Sequence, residues 1–462
     1  MTDIVQQTID TELETYQSAL FSLLRQPSIS TTGEGMDTAV DVVVETIDRF
    51  GFDHVKSIET CRHPLVYAEK LTNPENPTVV FYGHYDVQPP GADDEWESPP
   101  FEPTVRDGRI YARGVGDNKG QFSAHVFATH ALSEADELPA VNIKLLVEGG
   151  EESGSAGLFE YIDSGAPDIS DADLLYVADG PMHAAPATAA DTETQRKSVP
   201  TFAYGNRGVL SFQLDLQTAN TDFHSGNFGG PTPNAATELV HILDSFFTGE
   251  DIAIDGFLDG VNPSDRAREL VDSIPVDEQQ LMDELDITAL VTDRGFYHKL
   301  LLEPSLTING LSSGYQGDGM KTVLPSKATA KLDTRLVPGQ DPDAVFAAIS
   351  AHIEARNPDV TVTKQTAFAP MQTPIDAPEA DAVRSALSSV WGQSPVEFPV
   401  LGGSLPAAYF QNAPSLADIP VFVVPYANHD EGNHSPNENM DLACFERGIR
   451  TSAAFLQAIA DE

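Results

Sequence analysis

Histidine, aspartate and glutamate gather in five short, glycine-bearing segments of this 462-residue chain. They are Gly83-His84-Tyr85-Asp86, the stretch 112–120 with Asp117, the stretch 148–155 with Glu151 and Glu152, Ala178-Asp179-Gly180, and the stretch 432–438 with His434. Four of them follow short, largely apolar runs: 78–82, 141–147, 173–177 and 420–424. Runs without polar alternation read as buried strands of a sheet covered on both faces. In open α/β sheets the carboxyl ends of such strands converge on one crevice. Asp117 instead stands just before a helical stretch, 121–132. His84, Asp117, Glu152, Asp179 and His434 are therefore expected to meet, with the neighbouring glycines allowing close backbone approach.

That set is a metal-ligand set. Imidazole suits zinc, and carboxylates also accept manganese or cobalt. Three carboxylates carry more negative charge than one zinc balances, whereas two divalent ions and one bridging hydroxide bring the sum to zero. The expected centre holds two divalent ions, zinc first, with Asp117 shared. One ion takes His84 and Asp179, the other Glu152 and His434. Asp86 lies two residues beyond His84 and so on the same side of an extended chain. There it can accept the second imidazole N–H and fix the tautomer. Glu151, beside a ligand but turned from it, is the candidate general base. The cations activate a shared water and polarise a carbonyl. The chemistry expected is metal-assisted amide hydrolysis.

The elements that must position these residues follow from periodicity. Ile9, Leu13, Tyr16, Leu20 and Leu23 share one helical face, as do Val40, Val43, Val44 and Ile47. A C-terminal helix is expected over 440–459. Helices between buried strands give an α/β architecture with a mostly parallel, helix-covered sheet. The middle reads differently. Leu210, Phe212, Leu214 and Leu216 alternate strictly, and so do Ala328, Ala330, Leu332, Thr334 and Leu336, which predicts half-buried strands. A helix is expected over 234–247, another after the N-cap Asp341 and first-turn Pro342, and a strand over 359–368. The segment 250–302 reads as mostly helical. An α+β (ferredoxin-like) insertion, 200–372, is therefore expected inside an α/β domain made of 1–199 and 373–462.

Composition narrows the function classes. The chain has 71 acidic and 26 basic residues, a formal net charge of −45. Such a surface repels nucleic acid and anionic lipid, so neither is expected as a partner. Self-repulsion destabilises the compact state in dilute buffer, and salt screens it. A salt-adapted (halophilic) protein is the expectation. No run of 18 apolar residues suggests a membrane span. The stretch 1–10 lacks a secretory pattern, and Cys61 and Cys444 fit no disulfide framework, so the cytoplasm is the expected compartment.

The joint pattern, from Gly83-His84-Tyr85-Asp86 to His434-Ser435-Pro436-Asn437-Glu438, resembles the two-metal amidohydrolase and peptidase family of carnosine dipeptidases, acetylornithine deacetylase, succinyl-diaminopimelate desuccinylase and aminoacylase. The resemblance implies metal roles for His84, Asp117, Glu152, Asp179 and His434, and catalytic roles for Glu151 and Asp86. It also implies a cis Asp117–Asn118 peptide. Asp222-Phe223-His224-Ser225-Gly226 resembles the motif whose histidine stabilises the oxyanion from the lid. Thr322 in Lys321-Thr322-Val323, Arg335 in Asp333-Thr334-Arg335, and Gly402-Gly403-Ser404 resemble substrate-binding residues. In dimeric members the counterparts of His224 and Thr322 act across the subunit interface, so a homodimer through the lid is implied. Chemistry agrees with these roles: a guanidinium fork suits a carboxylate, and glycine N–H groups with a serine hydroxyl make an anion nest.

Asp179 and the run Gly83-His84-Tyr85-Asp86-Val87-Gln88-Pro89 resemble the dipeptidase branch. The expected activity is hydrolysis of dipeptides or short peptides with a free C-terminal carboxylate. An N-acyl amino-acid deacylase is the alternative, and an inactive peptide-binding relative is a third reading that the intact residue set argues against.

Overall fold

The structure, a computed structural model, describes residues 1–186 and 197–461. Its largest sheet has eight strands. At its centre lie the four apolar runs: Asn142–Glu148, Thr78–His84, Leu174–Val177 and Val421–Val423, side by side and mutually parallel. Every residue of Thr78–His84 and of Asn142–Glu148 is buried. Alternate residues explain this. Val79 and Phe81 enter an apolar cluster with Leu20, Phe127 and Phe455 from three helices, Asp3–Arg25, Gly120–Glu134 and Leu442–Ile459. Val80 and Tyr82 enter a second cluster with Leu158 and Phe410. Both faces are covered, so neither could be polar. Toward the edges antiparallel pairings enter, as where Leu65–Lys70 pairs with both Asn142–Glu148 and His54–Ile58, which makes the sheet mixed overall.

A second sheet has four antiparallel strands in the order Ser305–Ser313, Lys327–Leu336, Gly208–Gln217, Val360–Phe368. It is covered on one face only. Leu210, Phe212, Leu214, Ala330 and Leu332 pack there against Leu239 and Ile242 of the helix Ala235–Asp244 and Val345, Ile349 and Ile353 of the helix Pro342–Glu354. Arg335, on odd parity, projects from the other face of that strand. Asn234 caps the first helix and Asp341 the second, each through its side chain.

The chain crosses between the sheets twice, and the crossings pair: Gly205–Asn206 runs antiparallel to Met371–Gln372. A Cβ at Gly205 would stand 2.1 Å from the Met371 carbonyl oxygen, and only glycine permits that approach.

Three expectations are corrected. The final helix begins at Leu442, because Met440 belongs to a strand, Asn439–Asp441, paired with Arg109–Tyr111. The helix after Asn234 stops at Asp244, and Phe247 pairs with Ile252 in a small hairpin. The segment 250–302 holds three short helices, Asp265–Ser273, Glu278–Glu284 and Phe296–Leu302, which cover less than half of it. Pro263 stands ahead of the first, and Pro275 and Gly295 interrupt the apolar period between them. Among the described residues no helix is long and apolar enough to cross a membrane.

Candidate metal centre

The parallel strands end at one sheet edge, and the chemistry collects there. His84 closes the strand Thr78–His84 and lies level with Glu148 on the neighbouring strand. Glu151 and Glu152 occupy the single turn Glu151–Ser153 just beyond it, and Asp179 follows Leu174–Val177 by two residues. Asp117 lies in the kinked segment Val115–Lys119, and its peptide bond to Asn118 is cis, as the resemblance implies. His434 comes from a loop in which its own φ is +58°.

All five expected ligand residues meet. His84 Nε2 stands 3.0 Å from Asp117 Oδ1 and 3.7 Å from Asp179 Oδ2. His434 Nε2 stands 3.1 Å from Asp117 Oδ2 and 3.2 Å from Glu152 Oε2. Two groups able to hold a metal ion result, His84–Asp117–Asp179 and Asp117–Glu152–His434. Asp117 belongs to both, with one oxygen toward each histidine.

Around them lies a set of donors and acceptors. His84 Nδ1 faces the carbonyl oxygen of Asp86 at 3.1 Å and its carboxylate at 3.3 Å. The same carboxylate accepts the main-chain N–H groups of Glu151 (3.2 Å) and Glu152 (3.0 Å). Asp86 thus fixes one imidazole and the turn carrying both glutamates, a double duty that sequence spacing alone does not reveal.

Three supporting residues carried no role on sequence grounds. Gln88 Nε2 donates to Glu152 Oε2 at 2.9 Å. Asn118 Nδ2 donates to the Ala178 carbonyl at 2.7 Å, tying the Asp117 segment to the strand end before Asp179. Glu438 is fully buried and accepts from the main-chain N–H groups of Gly114, Gly116 and Asp117 and from Arg113 Nη1 at 2.7 Å. Gln88 and Glu438 stand inside segments that sequence analysis singled out. An acidic residue in so acidic a chain gave no further signal.

The electrostatics ask for cations. Burial pushes Glu151 well above the usual carboxylate range, and Asp179, Glu152 and Asp117 push the same way against His84. Burial and then Asp117 raise Asp179 to about 7. Burial disfavours a charged His84, but its contacts with Asp117 and Asp86 outweigh that and hold it well above the ordinary imidazole value. Asp117 and Glu152 raise His434 to about 10. Left to itself, the cluster would neutralise its excess negative charge with protons. Nε2 of His84 is buried without a well-formed hydrogen bond, and in the neutral imidazole, with the Nδ1 proton donated to Asp86, it would turn a lone pair toward the carboxylate oxygens of Asp117 and Asp179. Such a lone pair among carboxylates becomes favourable when a cation lies between them. Imidazole and carboxylate donors in this ratio fit divalent ions.

A cleft of about 400 Å³ opens beside the cluster. Asp117, Glu151, Asp179 and His434 line it, as do Arg335, Gly402, Gly403 and Ser404. Arg335 Nη1 donates to Ser404 Oγ at 2.9 Å. The guanidinium and the glycine-serine loop, far apart in sequence, therefore border one space with the metal-type residues. His224 and Thr322 lie elsewhere. Their side chains approach each other at 3.5 Å, both are exposed, and neither is among the described residues lining the cleft.

The family model for peptidase family M20/M25/M40 matches residues 80–458. The chain belongs to this family. The match runs from the strand before His84 to beyond Glu438, so this M20/M25/M40 peptidase carries its whole candidate centre inside it. It is similar to the Beta-Ala-His dipeptidase of Mus musculus, 30% identical over 410 residues, spanning 86% of this chain and 80% of the relative. It is also similar to the Cys-Gly metallodipeptidase DUG1 of Saccharomyces cerevisiae, 27% identical over 486 residues, with 98% and 96% coverage. Among solved structures it resembles the M20 family metallo-carboxypeptidase Sso-CP2 of Sulfolobus solfataricus, with a TM-score of 0.86 and 30% identity over 97% of this chain and 99% of that one. The M20/M25/M40 chain is thus a metal-dependent peptidase by descent.

Proposed function

We propose that this peptidase hydrolyses the amide bond of dipeptides, or short peptides, that carry a free C-terminal carboxylate. One observation supports the reading: two ligand triads share Asp117, and their members Asp117, Asp179 and His434 line the same cleft as Arg335 and Ser404. His84, Asp117 and Asp179 would hold one divalent ion, and Asp117, Glu152 and His434 the other. Zinc suits two imidazoles among carboxylates best, with manganese or cobalt as alternatives. When bound, the ions supply Lewis acidity toward a carbonyl and an acidified water. Glu151, lining the cleft, would take a proton from the attacking water and pass it to the leaving amine as the amide bond breaks. Asp86 holds the His84 tautomer and the Glu151–Glu152 turn. Arg335 and Ser404, with the Gly402–Gly403 main chain, bind the carboxylate and set the scissile bond beside Glu151.

The dipeptidase names of the two curated relatives support this substrate class. Likeness to a metallo-carboxypeptidase favours a second reading, in which longer peptides lose their last residue at the same carboxylate site. The domain division proposed is 1–199 with 373–462 for the centre and 200–372 for the lid. His224 and Thr322, exposed on the lid, are proposed to reach the cleft of a second copy in a homodimer, where the histidine donates to the developing oxyanion.

The test is a substrate panel in high salt, offering dipeptides, tetrapeptides, N-acetylornithine and N-succinyl-diaminopimelate. Dipeptide cleavage is expected, lost with a chelator and restored by zinc, manganese or cobalt, with about two ions bound per chain. Release of single C-terminal residues from tetrapeptides selects the carboxypeptidase reading. Turnover of the N-acyl substrates alone selects a deacylase.

We further propose a salt-rich cytoplasm as its setting. With 71 acidic against 26 basic residues, circular dichroism across a potassium chloride titration is expected to show folding completed only as salt approaches about 1 M, where the Debye length is about 3 Å. Full folding and turnover without salt would reject this adaptation.

A further inference from the structure

Arg207 is a buried cation without an acidic partner. It is 2% exposed, and no carboxylate of the described residues forms an ion pair with it. Its Nη2 donates to the carbonyls of Arg335 (3.1 Å) and Glu303 (3.3 Å) and to Ser305 Oγ (3.3 Å). Its Nε is buried with no hydrogen-bond partner. The charges acting on it are Arg335, which is unfavourable, and Asp333. An unpaired interior cation is strongly unfavourable unless something at the site uses its charge.

Its place in the chain suggests what does. Arg207 sits at the outward crossing between the two sheets. Its main-chain N–H donates to the Leu401 carbonyl at 3.1 Å, and the Leu401 N–H donates to the Gly205 carbonyl at 2.9 Å. The adjacent Asn206 donates through Nδ2 to the Leu405 carbonyl at 3.1 Å. The crossing therefore grips both ends of the loop 401–405, which presents Gly402, Gly403 and Ser404 to the cleft. The Arg207 side chain meanwhile holds the main chain of Arg335. Since Arg335 Nη1 donates to Ser404 Oγ, a ring closes: Arg207, Leu401, Ser404, Arg335 and back to Arg207.

We infer that Arg207 is a positioning residue for recognition of the substrate's C-terminal carboxylate: it fixes the spacing between Arg335 and the 402–404 loop and adds its positive charge behind them. This inference rests on the proposed function, which gives the substrate that carboxylate. Selectivity follows from the chemistry. A free carboxylate meets both the aligned donors and the extra charge, whereas a C-terminal amide gains little from either. Lysine at this position would keep the charge, but its ammonium sits on a flexible stem and would not stand where Nη2 meets the carbonyls of Arg335 and Glu303 and Ser305 Oγ.

The experiment compares a dipeptide with its C-terminal amide, using metal-loaded wild type, Arg207→Met and Arg207→Lys in high salt. Bound metal and the thermal midpoint are followed alongside. For Arg207→Met, KM for the free acid is expected to rise about tenfold or more, with kcat within about threefold and the amide's kcat/KM within about twofold. Arg207→Lys is expected to fall between that variant and wild type. Equal losses on acid and amide, a fall confined to kcat, or unchanged constants would overturn the inference. Should Arg207→Met not fold, Arg207→Lys decides alone by the same comparison of acid with amide. A wild type that turns over only N-acyl amino acids refutes the proposed function, and the same comparison on those substrates still decides the role of Arg207. A wild type inactive on every free-carboxylate substrate overturns both.

Discussion

Replacing Glu151 by glutamine is expected to lower kcat by about 10²- to 10⁴-fold while metal stays bound. Glu151 lines the cleft but belongs to neither ligand triad, so its loss removes no donor from the ions. Its main-chain N–H is held by Asp86 Oδ1 at 3.2 Å, independently of its side chain, so the turn that carries Glu152 keeps its place. Glutamine preserves volume and polarity but cannot accept and return a proton near neutral pH. Metal analysis and steady-state kinetics on the same preparation separate the two roles. Wild-type turnover in Glu151→Gln would remove it as the base, and loss of metal together with activity would make it a ligand.

The second large effect is structural. Glu438→Ala is expected to lower unfolding stability by about 3–5 kcal/mol and to deplete the centre of metal. The Glu438 carboxylate is fully buried, and Arg113, its partner, is 1% exposed. Burial pushes Glu438 above the usual carboxylate range even with Arg113 beside it. The pair therefore gives little net stability over an apolar one, yet removing one member strands the other. Alanine would leave the Arg113 guanidinium without its counter-ion and three main-chain N–H groups, on Gly114, Gly116 and Asp117, without their acceptor. Those groups shape the segment that aims Asp117 at both histidines. Urea unfolding in high salt, with metal content measured in parallel, checks this. A variant with the wild-type midpoint and a full metal complement would show that the segment is held by other contacts, such as Asn118 to Ala178.

These expectations differ in how far the sequence carries them. Glu151 can be named from its place beside Glu152 past an apolar run. Glu438 could not, although it stands four residues from His434. Its importance lies in donors more than 300 positions away, on Gly114, Gly116 and Asp117. The same holds for Gln88, which meets Glu152 64 positions along the chain, and for Arg207, which meets Arg335 128 positions along. His224 and Thr322 show the converse: their side chains approach each other, but neither is among the described residues lining the cleft of their own chain.

The amino-acid sequence by itself determined the element types where period and capping agree, as in the alternating strand at 210–216 and the helix behind Asp341–Pro342. It also placed His84, Glu152, Asp179 and His434 at one sheet edge, since parallel buried strands deliver their carboxyl ends to the same side, and joined Asp117 to them through its residue type and its place ahead of a helix. Side-chain periodicity is a local property and is written in neighbouring residues. Only the tertiary structure decided which oxygen of Asp117 faces which histidine, that Asp86 serves an imidazole and a turn at once, and that Arg207 closes a ring around Arg335 and Ser404. The directional contacts that set such distances form between loops whose approach depends on how whole sheets and helices pack, and no local pattern encodes that approach.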